Sequence, residues 1–385
     1  MKSFEELYSV VRGLPVVDWH NHLDPRMLRA DRPLGSLYEV WVKADPYKHR
    51  AMRICGEPER LITGDAPESE KWAAWRRTLP KLLGNPLFAW ARMEMAVLGL
   101  DGRENVPLAD WTPSKLLAKF NVVYLSPCVG PADEPLAFDL GGCRVAPSLR
   151  LDAANLPDWA DLLPRMAAFH AAGCRVVDVS VDAEAALSDV CLANLCAEAA
   201  RLGWTLLLHL GALRATSARL RAAVGAAGGF AGMRAAFDPQ AVARFLDALE
   251  SRGGLPRTIL LTLNPLAHAQ LAVLSGSFVG EGVPGKVQLG PAWWWCDHAE
   301  GIRDVFEKQA AYGVLSTFAG MTTDSRSLLS FVRHDYFRRL FCRWVAEKIA
   351  AGEFPEEDAL LRPLLRQVCC ENAAVMTGTA LNVEG

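Results

Sequence analysis

The sequence lacks the features that would indicate a nucleic-acid, membrane or secreted protein. Its 41 Lys and Arg residues face 44 Asp and Glu residues, for a formal net charge of −3 at pH 7. Such a balance gives no electrostatic reason to expect binding to nucleic acid or to a membrane surface. No apolar run approaches the roughly 20 residues that span a bilayer. Residues 1–11 contain Glu5 and Glu6 and no continuous apolar core, so we expect no secretory signal there.

Cysteine occurs ten times but never as Cys-x-x-Cys. The closest pair, Cys369 and Cys370, is adjacent in the chain, a spacing that disfavours a disulfide. We therefore expect reduced thiols and a cytoplasmic protein. A Walker motif is also missing, so nothing in the sequence signals a nucleotide cofactor.

The pattern of apolar runs changes along the chain. Residues 26–118 have tryptophans and leucines three and four residues apart, which is typical of packed helices. From about residue 119, short β-rich runs alternate with helical runs, and this alternation predicts parallel strands joined by right-handed crossovers. The predicted strands are Val16–His20, Val122–Ser126, Cys143–Leu149, Arg175–Val181, Thr205–Leu210, Thr258–Leu263, Lys286–Leu289 and Thr317–Met321.

Eight such strands predict an α/β fold of the (β/α)8 TIM-barrel kind, with its functional site at the carboxyl ends of the strands. We expect residues 1–25 and 119–385 to form the barrel. Residues 26–118 would form a helical lobe inserted after the first strand. Within the barrel, Asp238 and Pro239 predict a helix start, with Asp238 as the N-cap.

His-x-His follows the first predicted strand, in Val17-Asp18-Trp19-His20-Asn21-His22. The two-residue period of a strand places His20 and His22 on one face, where both imidazoles could bind one divalent metal ion. The alternative is that one or both histidines are solvated loop residues.

Asp324 follows the last predicted strand and is the natural third ligand. Its carboxylate would complete a His-His-Asp set for Zn²⁺, with Mn²⁺ or Fe²⁺ as alternatives. Asp324 could also cap the next helix. Arg150, Arg214 and Arg326 stand at strand ends too, where a guanidinium suits bidentate binding of an anion. Each arginine could instead be an ordinary surface residue.

Aromatic and imidazole side chains complete the set of candidates. His209 ends the run Leu-Leu-Leu-His, so it faces either the site or the core. Trp293, Trp294 and Trp295 could stack on a sugar ring or pack in the interior. Tyr47 and His49 belong to the helical lobe, and composition alone gives them no role.

Several segments, in order along the chain, resemble the uronate isomerase family of the amidohydrolase superfamily. The longest and most specific begins Gly-Met-Thr-Thr-Asp-Ser-Arg-Ser and runs on to Arg-His-Asp-Tyr-Phe-Arg-Arg. The similar segments are Val17–Leu23, Tyr47–Arg53, Ile62–Ala66, Gly84–Leu87, His209–Arg214, Gln288–Asp297, Gly320–Ser327 and Arg333–Arg339.

The resemblance implies an aldose–ketose isomerase that interconverts D-glucuronate with D-fructuronate and D-galacturonate with D-tagaturonate through an enediol. It implies one divalent metal ion, Zn²⁺ first, and a helical lobe that reaches over the barrel mouth. The implied metal ligands are His20, His22 and Asp324, and the implied sugar-site residues are Tyr47, Arg150, His209, Arg326 and one tryptophan of Trp293–Trp295. Asp324, Tyr47 and His209 are the acid–base candidates, and Asp324 is favoured.

The chain departs from the family pattern at several positions. Pro46 stands where the family usually has a histidine, and His49, three positions later, is a candidate replacement. Val179 lies where the family has Ser-Asp-His-Gly, and Ser126-Pro127-Cys128-Val129 stands in place of Thr-Asp-Asp-Pro.

These departures leave two alternatives open. One is a mononuclear metal-dependent decarboxylase or hydrolase on the same barrel, and the other is a degenerate sugar-acid-binding protein. The expected ligand is in each case a small molecule, with no nucleic-acid or membrane partner, and the resemblance suggests a homo-oligomer.

Overall fold

Parallel strands form the framework of the molecule. The structure, a computed structural model, describes residues 2–214, 216–225, 228–235 and 237–381. The strands are β1 (Val16–Asn21), β2 (Val122–Val129), β3 (Phe138–Leu140), β4 (Cys143–Val145), β5 (Ser148–Asp152), β6 (Val176–Val181), β7 (Thr205–Leu210), β8 (Ala212–Leu213), β9 (Gly232–Met233), β10 (Arg257–Thr262) and β11 (Val287–Leu289).

The main sheet runs in the order β11-β10-β7-β6-β5-β2, and β2 also pairs with β1 and β4. All of these pairs are parallel, whereas β3 and β4 form an antiparallel hairpin. A separate antiparallel pair, β8 and β9, follows β7. Because neighbouring strands are parallel, the carboxyl ends of β1, β2, β5, β6, β7 and β10 lie at one edge.

Helices connect the strands and build the region between β1 and β2. The α-helices are α1 (Phe4–Val11), α2 (Pro25–Ala30), α3 (Leu37–Trp41), α4 (Pro46–Ile54), α5 (Glu68–Thr78), α6 (Pro86–Leu98), α7 (Pro113–Lys119), α8 (Trp159–Ala171), α9 (Val190–Arg201), α10 (Ala218–Val224), α11 (Pro239–Glu250), α12 (His268–Val273), α13 (Ala299–Tyr312), α14 (Val332–Ala350), α15 (Asp358–Arg366) and α16 (Asn372–Thr377). A π-helical turn, Gln367–Glu371, joins α15 to α16. The predicted helix start is confirmed, since the Asp238 side chain accepts from the Gln240 N–H and Pro239 opens α11. Among the described residues, no helix is both long and apolar enough to cross a membrane.

Two strand predictions are wrong. The single strand expected at Cys143–Leu149 is two strands, β4 and β5, because Pro147 between them has no N–H for a ladder. The strand expected at Thr317–Met321 is absent from the described structure. Its first residue ends a 3-10 helix, Leu315–Thr317, and Gly320 has a φ of +75°, which no regular strand contains.

The segment 318–325 nevertheless lies between β11 and β1. The Asp324 N–H donates to the His20 carbonyl (3.0 Å), and the His22 N–H donates to the Ser325 carbonyl (2.8 Å). On its other side, the Ala319 N–H donates to the Gln288 side chain of β11 (2.8 Å). Within the described ranges no ladder joins β11 to β1, so the structure shows a mostly parallel sheet and does not show a closed barrel.

Buried apolar side chains form two clusters. One cluster fills the space between β5–β11 and the helices that cover them. The other draws mainly on residues 23–117, with Leu328, Leu329 and Phe331 of the chain that follows Asp324. The proposed limits of the helical lobe, 26–118, stay a prediction.

Candidate active site

A cavity of about 270 Å³ opens at the carboxyl ends of the strands. It lies between the strand ends, the N-terminus of α4 and the loop after β11. The predicted site residues that line it are His20, His22, Tyr47, Arg150, His209, Arg214, Trp293, Trp294, Asp324 and Arg326. Residues separated by up to about three hundred positions in the sequence therefore share one cavity.

His20, His22 and Asp324 meet at one carboxylate oxygen. Asp324 Oδ1 lies 3.1 Å from His20 Nε2 and 3.0 Å from His22 Nε2. Donor atoms at such separations can share an ion at bond lengths of about 2.0–2.2 Å. Burial opposes ionisation of Asp324, but hydrogen bonds from the two histidines hold its pKa well below its usual range. The donor set therefore fits a divalent metal ion and forms a candidate His/Asp metal site.

The backbone holds Asp324 in an unusual conformation. Its φ is +47°, a left-handed value that is uncommon for residues other than glycine and is often found at functional sites. Its second oxygen, Oδ2, accepts a hydrogen bond of 2.6 Å from the Trp293 indole N–H. One oxygen thus faces the histidines while the other is fixed by an aromatic donor.

Asp178, on β6, organises the floor of the site and was not predicted as a site residue. Its side chain is fully buried. One oxygen accepts from His209 Nδ1 (2.7 Å), and the other pairs with the Arg150 guanidinium. Burial alone would raise the pKa of Asp178, but Arg150, His209 and His20 hold it well below its usual range. Asp178 is therefore an ionised carboxylate in a buried, positively charged setting.

His209 presents its other nitrogen to the cavity. Because Nδ1 is held by Asp178, Nε2 points away from that carboxylate; it is buried and has no hydrogen-bond partner in the part of the chain that the structure describes. Burial lowers the pKa of His209 to about 4, although the Asp178 charge partly opposes this effect. Near neutral pH the ring is thus a neutral imidazole with a free site at Nε2.

The His20 ring is shared by two further groups of metal-ligating side chains. His20, His22 and Cys128 form one, and His20, Asp178 and His209 form the other; within each, the ligand atoms lie within 4.8 Å of one another. Cys128, at the end of β2, was likewise not predicted as a site residue.

The three arginines differ in their partners. Arg150 also contacts the Ser180 hydroxyl. Arg214 donates to Asp182 Oδ2 (2.9 Å) and to Ser180 Oγ (2.8 Å). Arg326 is exposed at the cavity wall, and among the described residues no carboxylate lies within ion-pair distance of it.

Helix α4 brings Tyr47 over the cavity. Asp45 caps the helix by accepting from the Tyr47 and Lys48 N–H groups (2.9 and 3.2 Å), and Pro46 fills the first helical position. The Tyr47 hydroxyl is buried without a hydrogen-bond partner in the described residues. Burial raises the pKa of Tyr47 above its usual range, with Arg333 acting in the opposite direction.

His49, the candidate replacement for the family histidine, is not among the residues that line the cavity. Successive residues of a helix are turned by about 100°, and a side chain two positions after Tyr47 therefore points away from the site. His49 is buried, and burial lowers its pKa.

The missed residues had a weak signal in the sequence. In Val177-Asp178-Val179-Ser180-Val181-Asp182 the polar residues alternate with valine, so a strand places all three on one face. Trp295 was expected only as one of three alternatives, and it lines the cavity beside Trp293 and Trp294.

Comparisons with known proteins agree in one assignment. The sequence model of the family "Glucuronate isomerase" matches residues 2–103 and 166–376. The uronate isomerase of Serratia proteamaculans is 33% identical over 441 aligned positions, covering 93% of this chain and 92% of the relative. That of Geobacillus thermodenitrificans is 32% identical over 447 positions, covering 97% and 96%. Both alignments are longer than the chain of 385 residues, so the relatives contain residues that this chain lacks.

Solved structures show the same fold. The uronate isomerase of Thermotoga maritima superposes with a TM-score of 0.85 at 23% identity, covering 97% of each chain. The glucuronate isomerase of Caulobacter crescentus gives 0.82 at 18% identity, covering 99% of this chain and 95% of the other. The family match spans more than half of the sequence, and the curated relatives align over nearly all of it. Both of these curated relatives are named uronate isomerase, and the chain belongs to the glucuronate isomerase family.

Proposed function

We propose that this protein is an aldose–ketose isomerase of hexuronates, converting D-glucuronate to D-fructuronate and D-galacturonate to D-tagaturonate. The observation that carries the proposal is the meeting of His20, His22 and Asp324 in a cavity that three arginines also line. Family membership supplies the reaction class, and the cavity supplies groups of the kind that a sugar acid requires.

His20, His22 and Asp324 would hold one divalent ion, with Zn²⁺ as the first choice and Mn²⁺ or Fe²⁺ as alternatives. When bound, such an ion polarises the oxygens next to the reacting carbons as a Lewis acid. Two imidazoles and one carboxylate are a protein donor set of the size that is typical of catalytic metal sites.

Proton transfer is assigned to side chains of this chain. Asp324 takes the proton from C2 and returns a proton to C1, and the Trp293 N–H keeps its Oδ2 in place. Tyr47 and His209 have unpartnered polar atoms at the cavity, where the hydroxyl can donate to a substrate oxygen and the neutral imidazole can accept a proton. Arginines bind the carboxylate and stabilise the negative charge of the enediolate.

The larger architecture is part of the proposal. Segment 318–325 would take the place of the eighth strand in a closed barrel made by residues 1–25 and 119–385. Residues 26–118 would form a lobe that brings Tyr47 to the cavity. We also propose a cytoplasmic homo-oligomer.

The test is turnover of D-glucuronate and D-galacturonate by the protein loaded with Zn²⁺ or Mn²⁺, followed through the ketose products. In deuterated water, solvent deuterium should appear at C1 of the product. The matched control is Asp324→Asn, which keeps the shape of the side chain and should abolish turnover, as should removal of the metal with a chelator.

A mononuclear decarboxylase is the second candidate, because His20, His22, His209 and Asp324 would also meet its needs and all four line the cavity. If the protein released CO2 from an unrelated acid and left both uronates unchanged, the decarboxylase would be the better assignment. Binding of uronates without any turnover would instead support a sugar-acid-binding protein.

A further inference from the structure

The thiol of Cys128 lies beside the His20 ring, at the nitrogen that does not face Asp324. Cys128 is near the end of β2, where it pairs with Ser148 of β5. Its Sγ is 3.3 Å from His20 Nδ1 and 3.5 Å from Asp178 Oδ2. The Ser148 hydroxyl donates to the same sulfur at 3.6 Å. The sulfur is thus enclosed by three polar groups, each on a different strand.

The two nitrogens of His20 face different partners. Nε2 is directed to Asp324 Oδ1 (3.1 Å), where the ion would bind, and Nδ1 is directed to the Cys128 sulfur. A metal-ligating histidine usually donates its second N–H to a carboxylate, a carbonyl or a water, and this bond fixes the ring orientation. Here the neighbouring carboxylate of Asp178 is farther away, with Oδ2 at 3.7 Å from Nδ1. The closest partner is the sulfur.

We propose that Cys128 is a positioning residue for the metal ligand His20. Its sulfur accepts the His20 Nδ1–H while its S–H donates to Asp178, so the lone pair of Nε2 is directed at the ion. The inference rests on the proposed metal site. It concerns this chain in particular, because Cys128 lies in the segment 104–165 that the family model leaves unmatched.

A second, independent observation supports a ligand-binding role for this cluster. The His209 Nε2 is buried, lacks a partner among the described residues and lines the same cavity, and its Nδ1 is held by the Asp178 carboxylate to which Cys128 donates. Asp178 therefore connects the orientation of both rings. Loss of the Cys128 thiol would loosen His20 while leaving the Asp178–His209 bond in place.

The experiment measures metal affinity, by competition with a chromophoric chelator for Zn²⁺ and by titration with Co²⁺. Cys128→Ala should lower the affinity for both ions by about 10–100-fold, the usual effect of removing a hydrogen-bond partner of a metal ligand. Cys128→Ser restores a hydroxyl that can accept from Nδ1 and should recover most of the affinity. Cys196→Ala is the matched control, because Cys196 is fully buried on α9 and does not line the cavity; it should leave affinity unchanged.

Thermal unfolding of the two alanine variants separates lost affinity from lost folding, since each variant removes one cysteine sulfur. The inference is overturned if Cys128→Ala binds within about threefold of the parent, well short of the usual loss. It is also overturned if the Co²⁺-loaded parent shows a thiolate-to-metal charge-transfer band that Cys128→Ala lacks, since the sulfur would then be a ligand itself. A parent that neither binds metal nor converts uronates would refute the proposed function instead.

Discussion

Replacing Asp178 by asparagine tests how much of the site depends on one buried charge. The substitution keeps the shape of the side chain and removes its negative charge. Asp178 is fully buried, and it faces the guanidinium of Arg150 and the Nδ1 of His209. The variant therefore leaves a buried cation without a counter-ion and an imidazole without its acceptor.

The full burial of Asp178 and the partial exposure of Arg150 set the magnitude of the loss in stability. Removing one member of a buried pair destabilises proteins by about 3–5 kcal/mol. The Arg150 side chain keeps 26% of its exposure, so water can partly solvate the unpaired charge and we expect the low end, about 3 kcal/mol. Asp182, four residues further along the chain and on the same face, is the matched control. Its pair with Arg214 is about 30% exposed on both sides, and such pairs contribute about 0.2–1 kcal/mol.

Urea unfolding of Asp178→Asn and Asp182→Asn, followed by tryptophan fluorescence, gives the two free energies directly. The metal-loaded protein should also lose turnover in the first variant, because His209 and Arg150 both lose their orientation. Equal losses of stability in the two variants, or a loss below about 1 kcal/mol for Asp178→Asn, would show that the buried ion pair is not the organising contact.

Three further substitutions test the roles of single groups. Trp293→Phe removes the N–H that holds Asp324 Oδ2, a charge-assisted bond of about 1.5–3 kcal/mol, so kcat/KM for glucuronate should fall about 10–100-fold. Burial lowers the pKa of His209 from 6.5 to about 4, so in this window the unfolded chain binds a proton that the folded chain excludes, and stability falls as the pH falls. The free energy of unfolding should fall by about 2 kcal/mol between neutral pH and pH 5. In His209→Asn, the free energy of unfolding measured in urea should depend less on pH over this range. Arg326→Met should raise KM about 10-fold or more with little change in stability, since its guanidinium is exposed and available to an anion; unchanged KM would exclude it from carboxylate binding.

Local pattern predicted most of the strands and the position of the site. Runs such as Thr205–Leu210 are bounded, apolar and short, and they appear as strands with the same limits. The last expected strand failed for a reason that lies far away in the sequence. At Gly320 a Cβ would come within 2.2 Å of the Val368 carbonyl, so packing against the π-helical turn determines the backbone of this segment. No local window contains that contact.

The candidate site shows the same division. Residues that follow a strand could be assigned to the cavity from position alone, because the ends of parallel strands converge. Asp178 could not, since a carboxylate within a run of valines gains its role only from Arg150 and His209, which lie 28 and 31 residues away in the chain. His49 was proposed from its spacing in the sequence alone, whereas the turn of helix α4 determines the direction of its side chain.

The charges around the cavity suggest which arginine is free for the substrate. Arg150 is paired with Asp178 and Arg214 with Asp182, so both guanidiniums already have an acidic partner. Arg326 has none within the described ranges, although it lies two residues after Asp324 and lines the same cavity. To bind Arg150, an incoming carboxylate would have to displace the buried carboxylate of Asp178. At Arg326 it would meet no competing carboxylate. We therefore propose that Arg326 binds the substrate carboxylate, while Arg150 holds Asp178 and, through it, the orientation of His209.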